Sequence, residues 1–233
     1  MVSTVIIKAT NVHKIYIGGK IKVHALRGVN LSIQKGEMVT IMGPSGCGKT
    51  TLLNCLSGLD EVTTGSVEIE GETLTNMSEN DKTDYRARHM GFIFQFYNLL
   101  PVLTALENVE LPLLICHEKP SIAHEKALEA LRVVGLKGWE THRPAELSGG
   151  QRQRATIARS LVNNPLIVFG DEPTGDLDRE TTQDILDVIC RLNRENNQTF
   201  VLVTHDSKVA ERTHRVLKME NGVIAQEVQP SQG

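Results

Sequence analysis

Aromatic residues, excess charge of one sign and paired cysteines are all scarce in this chain of 233 residues. Aromatics make up 4% of it, which argues against a platform for stacking many bases. The formal net charge is -3, so we do not expect the chain to bind nucleic-acid phosphates, and we predict no nucleic-acid partner. No Cys-x-x-Cys pattern occurs, so neither a zinc ribbon nor a disulfide framework is indicated by the cysteines Cys47, Cys55, Cys116 and Cys190.

A long hydrophobic run is missing as well. The densest apolar stretch, residues 111–116, contains a proline and is far shorter than the roughly 20 residues that span a bilayer. Residues 1–8 lack the basic flank and the long apolar centre of a signal peptide. We therefore expect a soluble protein in a reducing cytosol, with any membrane role acting through a partner.

The sequence does contain an alternation of strand and helix patterns. Strands are predicted at residues 5–8, 15–17 and 29–33, with a turn at Gly18 and Gly19. A further strand at 37–42 leads to a predicted helix at 49–59, and more strands are predicted at 65–69, 91–94, 166–169 and 199–204. This order favours a layered α/β domain.

The middle of the chain has a different character, because residues 104–161 contain helical patterns and no convincing strand. The clearest predicted helix is 121–134, with Ser121 as its cap, Gly135 at its end, and one face formed by Leu128, Leu131 and Val134. Further on, Asn221-Gly222 predicts a hairpin. We interpret the whole as one α/β core with a helical insertion, and residues 230–233 as a loose end.

The first chemical motif follows the strand at 37–42 and fits G-x-x-x-x-G-K-[ST]. Its glycines let backbone N–H groups surround a phosphate at the start of a helix. The lysine can reach the β- and γ-phosphates, and the threonine hydroxyl can bind magnesium. The predicted phosphate site comprises Gly43, Pro44, Ser45, Gly46, Cys47, Gly48, Lys49 and Thr50, together with the next residue, Thr51. A glycine-rich turn with a stray lysine is the alternative, and the flanking strand and helix argue against it.

The second motif is an apolar run that ends in two acids, Asp171 and Glu172. A buried strand can deliver Asp171 beside Thr50 and complete a magnesium site. Glu172 would then lie near the γ-phosphate, where it could act as general base towards an attacking water. A core strand that ends in solvated acids has the same pattern. The presence of the phosphate loop favours the catalytic interpretation.

The third motif is Leu147 followed by Ser148, Gly149, Gly150 and Gln151. A serine and two glycines before a helix form another N-terminus able to hold an anion, or simply a capped helix without a ligand. With this motif the chain resembles the nucleotide-binding subunit of an ATP-binding cassette (ABC) transporter, whose signature reads L-S-G-G-Q. The three motifs occur in the family's order, and the resemblance covers nearly the whole chain.

The resemblance implies a fold and a set of ligands. The fold would be α/β, a P-loop NTPase of the ABC nucleotide-binding type with a RecA-like core, an N-terminal antiparallel β-subdomain and a helical insertion. We expect one domain over residues 1–233, with the helical part at about 96–161. The ligands would be ATP and Mg²⁺, and the activity would be ATP hydrolysis to ADP and phosphate.

The resemblance also assigns roles to residues outside the three motifs. Tyr16 stands where an aromatic ring stacks on adenine, and Gln95 where a glutamine senses magnesium and the attacking water. His205 matches the histidine that contacts the γ-phosphate. Asp178 belongs to the segment Gly175-Asp176-Leu177-Asp178, which would face a partner subunit and contribute to the nucleotide site. A core-packed tyrosine, a plain loop glutamine and a structural histidine are the alternatives.

Departures from the family pattern are few. Gly170 replaces a common alanine, Cys47 a frequent serine and Asp176 a common asparagine, and none of these changes removes an ATP ligand. Because Cys47 lies beside a helix N-terminus, we expect its thiol to react with alkylating reagents.

Residues 94–101, 104–109 and 173–175 resemble the lipoprotein-releasing and macrolide-exporting subfamily. That resemblance implies a head-to-tail homodimer formed on ATP and a separate membrane permease at the inner face of the cell membrane. The partner subunit would supply Ser148, so that each ATP site is shared. A soluble ABC-type ATPase without a transport role is the alternative, and a purely nucleotide-binding regulator is disfavoured by Glu172 and His205. A GTPase is disfavoured because no N-K-x-D segment occurs.

Overall fold

The computed structural model describes residues 4–19 and 21–230. The strands are β1 (Val5–Gly18), β2 (Ile21–Gln34), β3 (Met38–Met42), β4 (Thr64–Ile69), β5 (Glu72–Thr73), β6 (Met90–Phe94), β7 (Ile167–Asp171), β8 (Thr199–Val203), β9 (Arg215–Glu220) and β10 (Val223–Val228). The helices are α1 (Lys49–Leu56), α2 (Glu79–His89), α3 (Ala105–Ile115), α4 (Pro120–Val133), α5 (Gly149–Leu161), α6 (Arg179–Asn196) and α7 (Ser207–Glu211). The predicted loose end lies outside the described residues apart from Pro230.

Two sheets organise the described part of the chain. One is four-stranded and antiparallel, in the order β2-β1-β4-β5. The other is six-stranded, in the order β10-β9-β3-β8-β7-β6, and its strands are parallel except for β10. Parallel neighbours require crossover connections, which the helices supply. The predicted α/β class with an N-terminal antiparallel β-subdomain is confirmed.

The central strands are mostly apolar because both faces of the parallel sheet are covered. All residues of β8 are buried, and they alternate between two hydrophobic clusters. Val201 belongs to the cluster shared with the antiparallel sheet and α1, whereas Leu202 belongs to the cluster formed with α3, α4, α5 and α6. A continuous apolar run is typical of such a strand. The sheet is thereby fixed from both sides, and so are the loops at its edge.

The predicted helical region contains α3, α4 and α5, as expected, but two details of α4 were wrong. The helix begins at Pro120 after Lys119, without a side-chain cap from Ser121, because proline favours the first helical position. Leu128 is 37% exposed, and the buried face consists of Ala123, Ala127 and Leu131. A spacing of four residues places those side chains in line. The predicted end is confirmed, since Gly135 has a φ of +79°.

The early strands are longer than predicted. Residues 5–8 and 15–17 belong to the single strand β1, whose irregular register against β2 shows bulges that obscure the alternation of apolar residues. The turn at Gly18 and Gly19 is confirmed, because Gly18 pairs with Ile21. The predicted helix at 49–59 ends at Leu56, just before Gly58 at a φ of +66°. The hairpin at Asn221-Gly222 is confirmed between β9 and β10.

Of the helices described in residues 4–19 and 21–230, none is both long and apolar enough to cross a bilayer.

Candidate nucleotide site

The phosphate loop connects β3 to α1 at the carboxyl edge of the parallel sheet. Its backbone runs too close to its neighbours for side chains at two of its glycines. A Cβ at Gly43 would lie 2.2 Å from the carbonyl oxygen of Met219, and one at Gly48 would lie 2.6 Å from that of Ala25. Gly48, at a φ of +106°, is the residue that precedes α1. The glycines therefore allow the loop to curl at the helix N-terminus.

Lys49 lies across this loop. Its Nζ donates to the carbonyl oxygens of Gly43 and Pro44, at 2.9 and 3.0 Å. The ammonium is thus held at the mouth of the loop, where it can meet a phosphate that the backbone amides surround.

Three parallel strands bring the other predicted groups together. Phe94 at the end of β6 is paired with Asp171 of β7, and Asp171 is paired with Val203 of β8. The residues that follow these strands therefore lie at one edge of the sheet. They are Gln95 after β6, Glu172 after β7, and Thr204 and His205 after β8. The register of the sheet thus assembles groups that lie far apart in the sequence.

Asp171 and Thr50 form the candidate metal site. The Thr50 hydroxyl lies 3.3 Å from Oδ1 of Asp171. Burial raises the pKa of Asp171 above its usual range, and the nearby Glu172 carboxylate adds to the increase, while the Thr50 hydroxyl and the Lys49 ammonium oppose it. A poorly solvated carboxylate beside a hydroxyl suits Mg²⁺, which accepts a few protein oxygens and keeps waters or phosphate oxygens as its other ligands. The donor set fits this cation.

Glu172 is held by two neighbours on the loop after β8. Its Oε1 is 2.8 Å from Nδ1 of His205, and its Oε2 accepts a hydrogen bond of 2.8 Å from the Thr204 hydroxyl. The backbone of Glu172 is in the left-handed region, at a φ of +47°, a conformation that costs a residue with a Cβ about 1 kcal/mol. Since a carboxylate only accepts hydrogen bonds, the contact makes Nδ1 the protonated nitrogen of His205.

An open cleft of about 740 Å³ joins most of these groups. Basic side chains face the two acids across it, which suits an anionic ligand carrying a cation. It is lined by Tyr16, Lys22, Val23, His24, Ala25, Arg27, Ser45, Gly46, Cys47, Gly48, Lys49, Thr50, Thr51, Gln95, Asp171, Glu172, Val203, Asn221 and Gly222. Sequence reasoning missed the β2 residues and Asn221-Gly222, because only the fold brings those segments to the loop.

The signature residues lie elsewhere. Ser148 caps α5, accepting from the Gln151 amide at 3.2 Å, and the Gln151 side chain accepts from the Ser148 amide at 2.8 Å. This is the capping arrangement predicted as an alternative. Within the described chain, none of the four residues from Ser148 to Gln151 lines the cleft. Ser148 is exposed, so its helix N-terminus faces outwards.

The two remaining predicted residues are Asp178, at the start of α6, and Gln95, in the cleft. Asp178 caps α6 by accepting from the amides of Glu180 and Thr181, both at 3.0 Å. Gln95 lines the cleft, and its Nε2 is 3.5 Å from Oδ1 of Asp176.

The burial of Cys47 argues against its expected reactivity. Its side chain is only 6% exposed and packs in the hydrophobic cluster beneath the loop. A buried thiol is inert because reagents cannot reach it. Cys47 is nevertheless among the residues that line the cleft.

A strand, glycine loop and helix, with a carboxylate from another strand of the same parallel sheet, define a P-loop nucleoside triphosphatase. A family model described as ABC transporter matches residues 26–175. A solved dimer of the ATP-binding cassette MJ0796 in a post-hydrolysis state, bound to ADP and Pi, is 41% identical, with a TM-score of 0.89 over 97% of this chain and 100% of that one. Another dimeric structure, described as a bacterial ABC transporter cassette, is 42% identical over the same shares, also with a TM-score of 0.89. The chain belongs to the ABC transporter family and is an ATP-binding cassette of the ATPase type.

Proposed function

We propose that this cassette hydrolyses Mg²⁺-ATP in a head-to-tail homodimer and thereby drives a separate membrane permease. The observation that supports hydrolysis most directly is the Glu172 carboxylate, which is held between Thr204 and His205 beside the phosphate loop. The loop residues from Ser45 to Thr51 line the same cleft as this carboxylate, which supports the proposal. The homologous cassette MJ0796 has been solved with ADP and Pi, the products of this reaction.

Binding is divided between the two ends of the cleft. The Tyr16 ring, 41% exposed at one end, stacks on the adenine base. The amides from Ser45 to Thr51 and the Lys49 ammonium hold the phosphates at the other end. Thr50 and Asp171 hold Mg²⁺, with Gln95 as a further ligand, and the bound cation supplies positive charge to the phosphate oxygens.

Glu172 acts as the general base. Each of its carboxylate oxygens has one protein partner and keeps a lone pair that can accept a proton from water. Nδ1 of His205 contacts Glu172, so Nε2 is the ring nitrogen that is available to the γ-phosphate. Gln95, at the edge of the same cleft, orients the water.

The second half of each site comes from a partner subunit. Ser148 is exposed at the start of α5 and does not line its own chain's cleft among the described residues. A two-fold dimer can place this helix N-terminus over the phosphates held by Lys49 of the other copy. Asp178, at the start of α6, lies on the same side and contributes to the shared site. The related cassette MJ0796 is a dimer in both solved structures.

Mixing two inactive variants tests the shared site. Lys49→Ala and Ser148→Arg each damage both sites of a homodimer. In a mixed dimer one site carries both lesions, and the other is intact. We expect ATP occlusion, measured by retention of labelled ATP on gel filtration, to return at about one site per mixed dimer. If every mixing ratio stays as inactive as the parents while the wild type occludes ATP, the assignment of Ser148 to the partner is wrong.

The permease docks in an apolar groove beside β6. The groove, about 310 Å³, lies between α2, β6, α3 and α5, and Ile115, 60% exposed, stands at its edge. Phe96 and Val102, both 73% exposed, lie on the segment that leads from Gln95 into the helical region. An apolar segment of a membrane protein on the cytoplasmic side would cover this surface. The strand β6, which leads to Gln95, forms one wall of this groove. A permease bound there would therefore contact the element that positions Gln95 beside the catalytic water.

A charge in the groove tests this partner. Ile115→Glu is expected to abolish co-purification with the membrane protein encoded beside this chain, because a carboxylate would be buried without a partner. Leu128→Glu, on the partly exposed side of α4 and outside the groove, is the matched control, and circular dichroism checks both folds. Equal binding by both variants would contradict the docking site. If the wild type binds no membrane protein, the alternative of a soluble ABC-type ATPase is favoured. The export and lipoprotein-release type, predicted from residues 94–109, would be tested by the cargo of that permease.

A further inference from the structure

The Tyr16 side chain is held by Asp60 and Lys14, two residues that do not line the nucleotide cleft. The Tyr16 hydroxyl donates to Oδ2 of Asp60 at 2.6 Å, and Nζ of Lys14 lies 2.5 Å from Oδ1 of the same carboxylate. The Lys14 ammonium also lies over the ring, 4.9 Å from its centroid. Tyr16 lines the cleft, whereas neither Lys14 nor Asp60 is among its described lining residues. The anchor therefore holds the ring without occupying the ligand's space.

Asp60 is connected to the phosphate loop through α1. The amides of Leu59 and Asp60 donate to the carbonyl oxygen of Asn54, at 2.9 and 3.1 Å, so the loop after the helix is tied to its last turn. The same helix begins at Lys49. The helix α1 thus begins at the phosphate-binding lysine, and the loop bonded to its last turn contains the carboxylate that holds the Tyr16 ring.

The charges fix the direction of these hydrogen bonds. Burial acts to raise the pKa of Asp60, but the hydrogen bonds from Lys14 and Tyr16 outweigh it and hold the pKa below its usual range. Asp60 is therefore a carboxylate at neutral pH, and the Tyr16 hydroxyl has to donate. The Lys14 and Asp60 side chains are 12% and 28% exposed, so this pair is better shielded than an ordinary surface ion pair.

We propose that Asp60 and Lys14 are positioning residues that lock the Tyr16 ring at a fixed place relative to the phosphate loop. Without them, a ring that is 41% exposed could adopt other rotamers, and each nucleotide that binds would have to order it. With them, the base site and the phosphate site form one preorganised unit joined by α1. This inference rests on the stacking role of Tyr16 given under the proposed function.

Binding measurements with and without a base test the anchor. Calorimetry compares ADP with inorganic tripolyphosphate, which has no base to stack. Asp60→Ala removes the acceptor, and Tyr16→Phe removes only the hydroxyl that donates to it. We expect each change to weaken ADP binding about three- to tenfold, since ADP must then order a ring that the lost hydrogen bond no longer holds, and to leave tripolyphosphate affinity unchanged. In steady-state hydrolysis the loss from Asp60→Ala should appear in the KM for ATP and not in kcat.

Two further comparisons make the experiment specific. The double variant Asp60→Ala with Tyr16→Phe should lose no more ADP affinity than Asp60→Ala alone, because Asp60→Ala already removes the bond to the Tyr16 hydroxyl together with the Lys14 ion pair. Glu68→Gln is the matched control. It removes the partner of another β1 lysine, Lys8, at 3.4 Å, and should change neither affinity.

Three results would overturn the inference. An equal loss for ADP and tripolyphosphate would make Asp60 a structural support of the loop, and additive losses in the double variant would mean that the two residues act separately. Unchanged ADP affinity in Asp60→Ala and Tyr16→Phe, together with a loss in Tyr16→Ala, would keep the stacking role and reject the anchor. Unchanged ADP affinity in Tyr16→Ala would instead reject the stacking role itself.

Discussion

Replacing Glu172 by glutamine separates its basicity from its place in the structure. Glutamine has nearly the same shape, and its amide oxygen can still accept the hydrogen bond of 2.8 Å from Thr204. It cannot take a proton from water. We therefore expect the Glu172→Gln protein to fold and bind ATP but to lose most of its hydrolysis, and to accumulate as an ATP-bound dimer.

The size of each effect follows from the surroundings of the side chain. A positioned general base contributes about 10²- to 10⁴-fold, so the activation free energy should rise by roughly 3–5 kcal/mol. The contact with His205 loses its charge, but the His205 side chain is 76% exposed, and ion pairs of exposed groups contribute at most about 1 kcal/mol. The stability loss should therefore be far smaller than the catalytic loss.

Phosphate release at saturating ATP measures the first effect, and chemical denaturation measures the second. Size-exclusion chromatography with ATP reports the dimer. Glu211→Gln, which neutralises an exposed carboxylate on α7, is the matched control and should behave as the wild type. Wild-type turnover in Glu172→Gln would remove Glu172 from the role of base. A parallel loss of stability and rate would mean that the residue acts mainly through the fold.

Three other changes test the structure around the site. Arg159→Ala should lower the free energy of unfolding by about 2–4 kcal/mol, because this partly buried guanidinium donates to the carbonyl oxygens of Tyr97 at 2.8 Å and Asn98 at 2.5 Å, and both residues are in the left-handed region. An unchanged denaturation midpoint would contradict this. Gly150→Ala would place a Cβ 2.6 Å from the Thr181 methyl group, which should lower the free energy of unfolding by about 1–3 kcal/mol, again measured by denaturation. If the second change Thr181→Ser, which removes that methyl group, restores no stability, the clash is not the cause. Maleimide labelling followed by mass spectrometry should modify buried Cys47 only on the timescale of unfolding, and rapid labelling that ATP slows would show that the thiol is accessible in the folded protein.

Several features of this protein are determined by short stretches of sequence. The glycines within residues 43–48 determine the phosphate loop, because they adopt positive φ values that strain residues with a Cβ. The helix that follows begins at Lys49, as predicted. The Ser148 cap is likewise local, since its partner Gln151 is three residues away. The apolar run ending in two acids predicted Glu172, the family resemblance predicted Gln95 and His205, and the structure places all three at the edge of one sheet.

Other features depended on the tertiary structure. The contact between Glu172 and His205 exists because β8 lies between β3 and β7, an order that local sequence does not encode. The burial of Cys47, where a reactive thiol was expected, and the exposure of Leu128, which was expected to share a face with Leu131, depend on the tertiary structure, because neighbouring elements decide which side of a loop or helix is covered. The bond between Tyr16 and Asp60 joins residues that are 44 positions apart, across β1 and the end of α1. Local sequence fixes turns, caps and backbone conformation through contacts over a few residues, whereas burial and long-range hydrogen bonds arise only once the sheets and helices have packed.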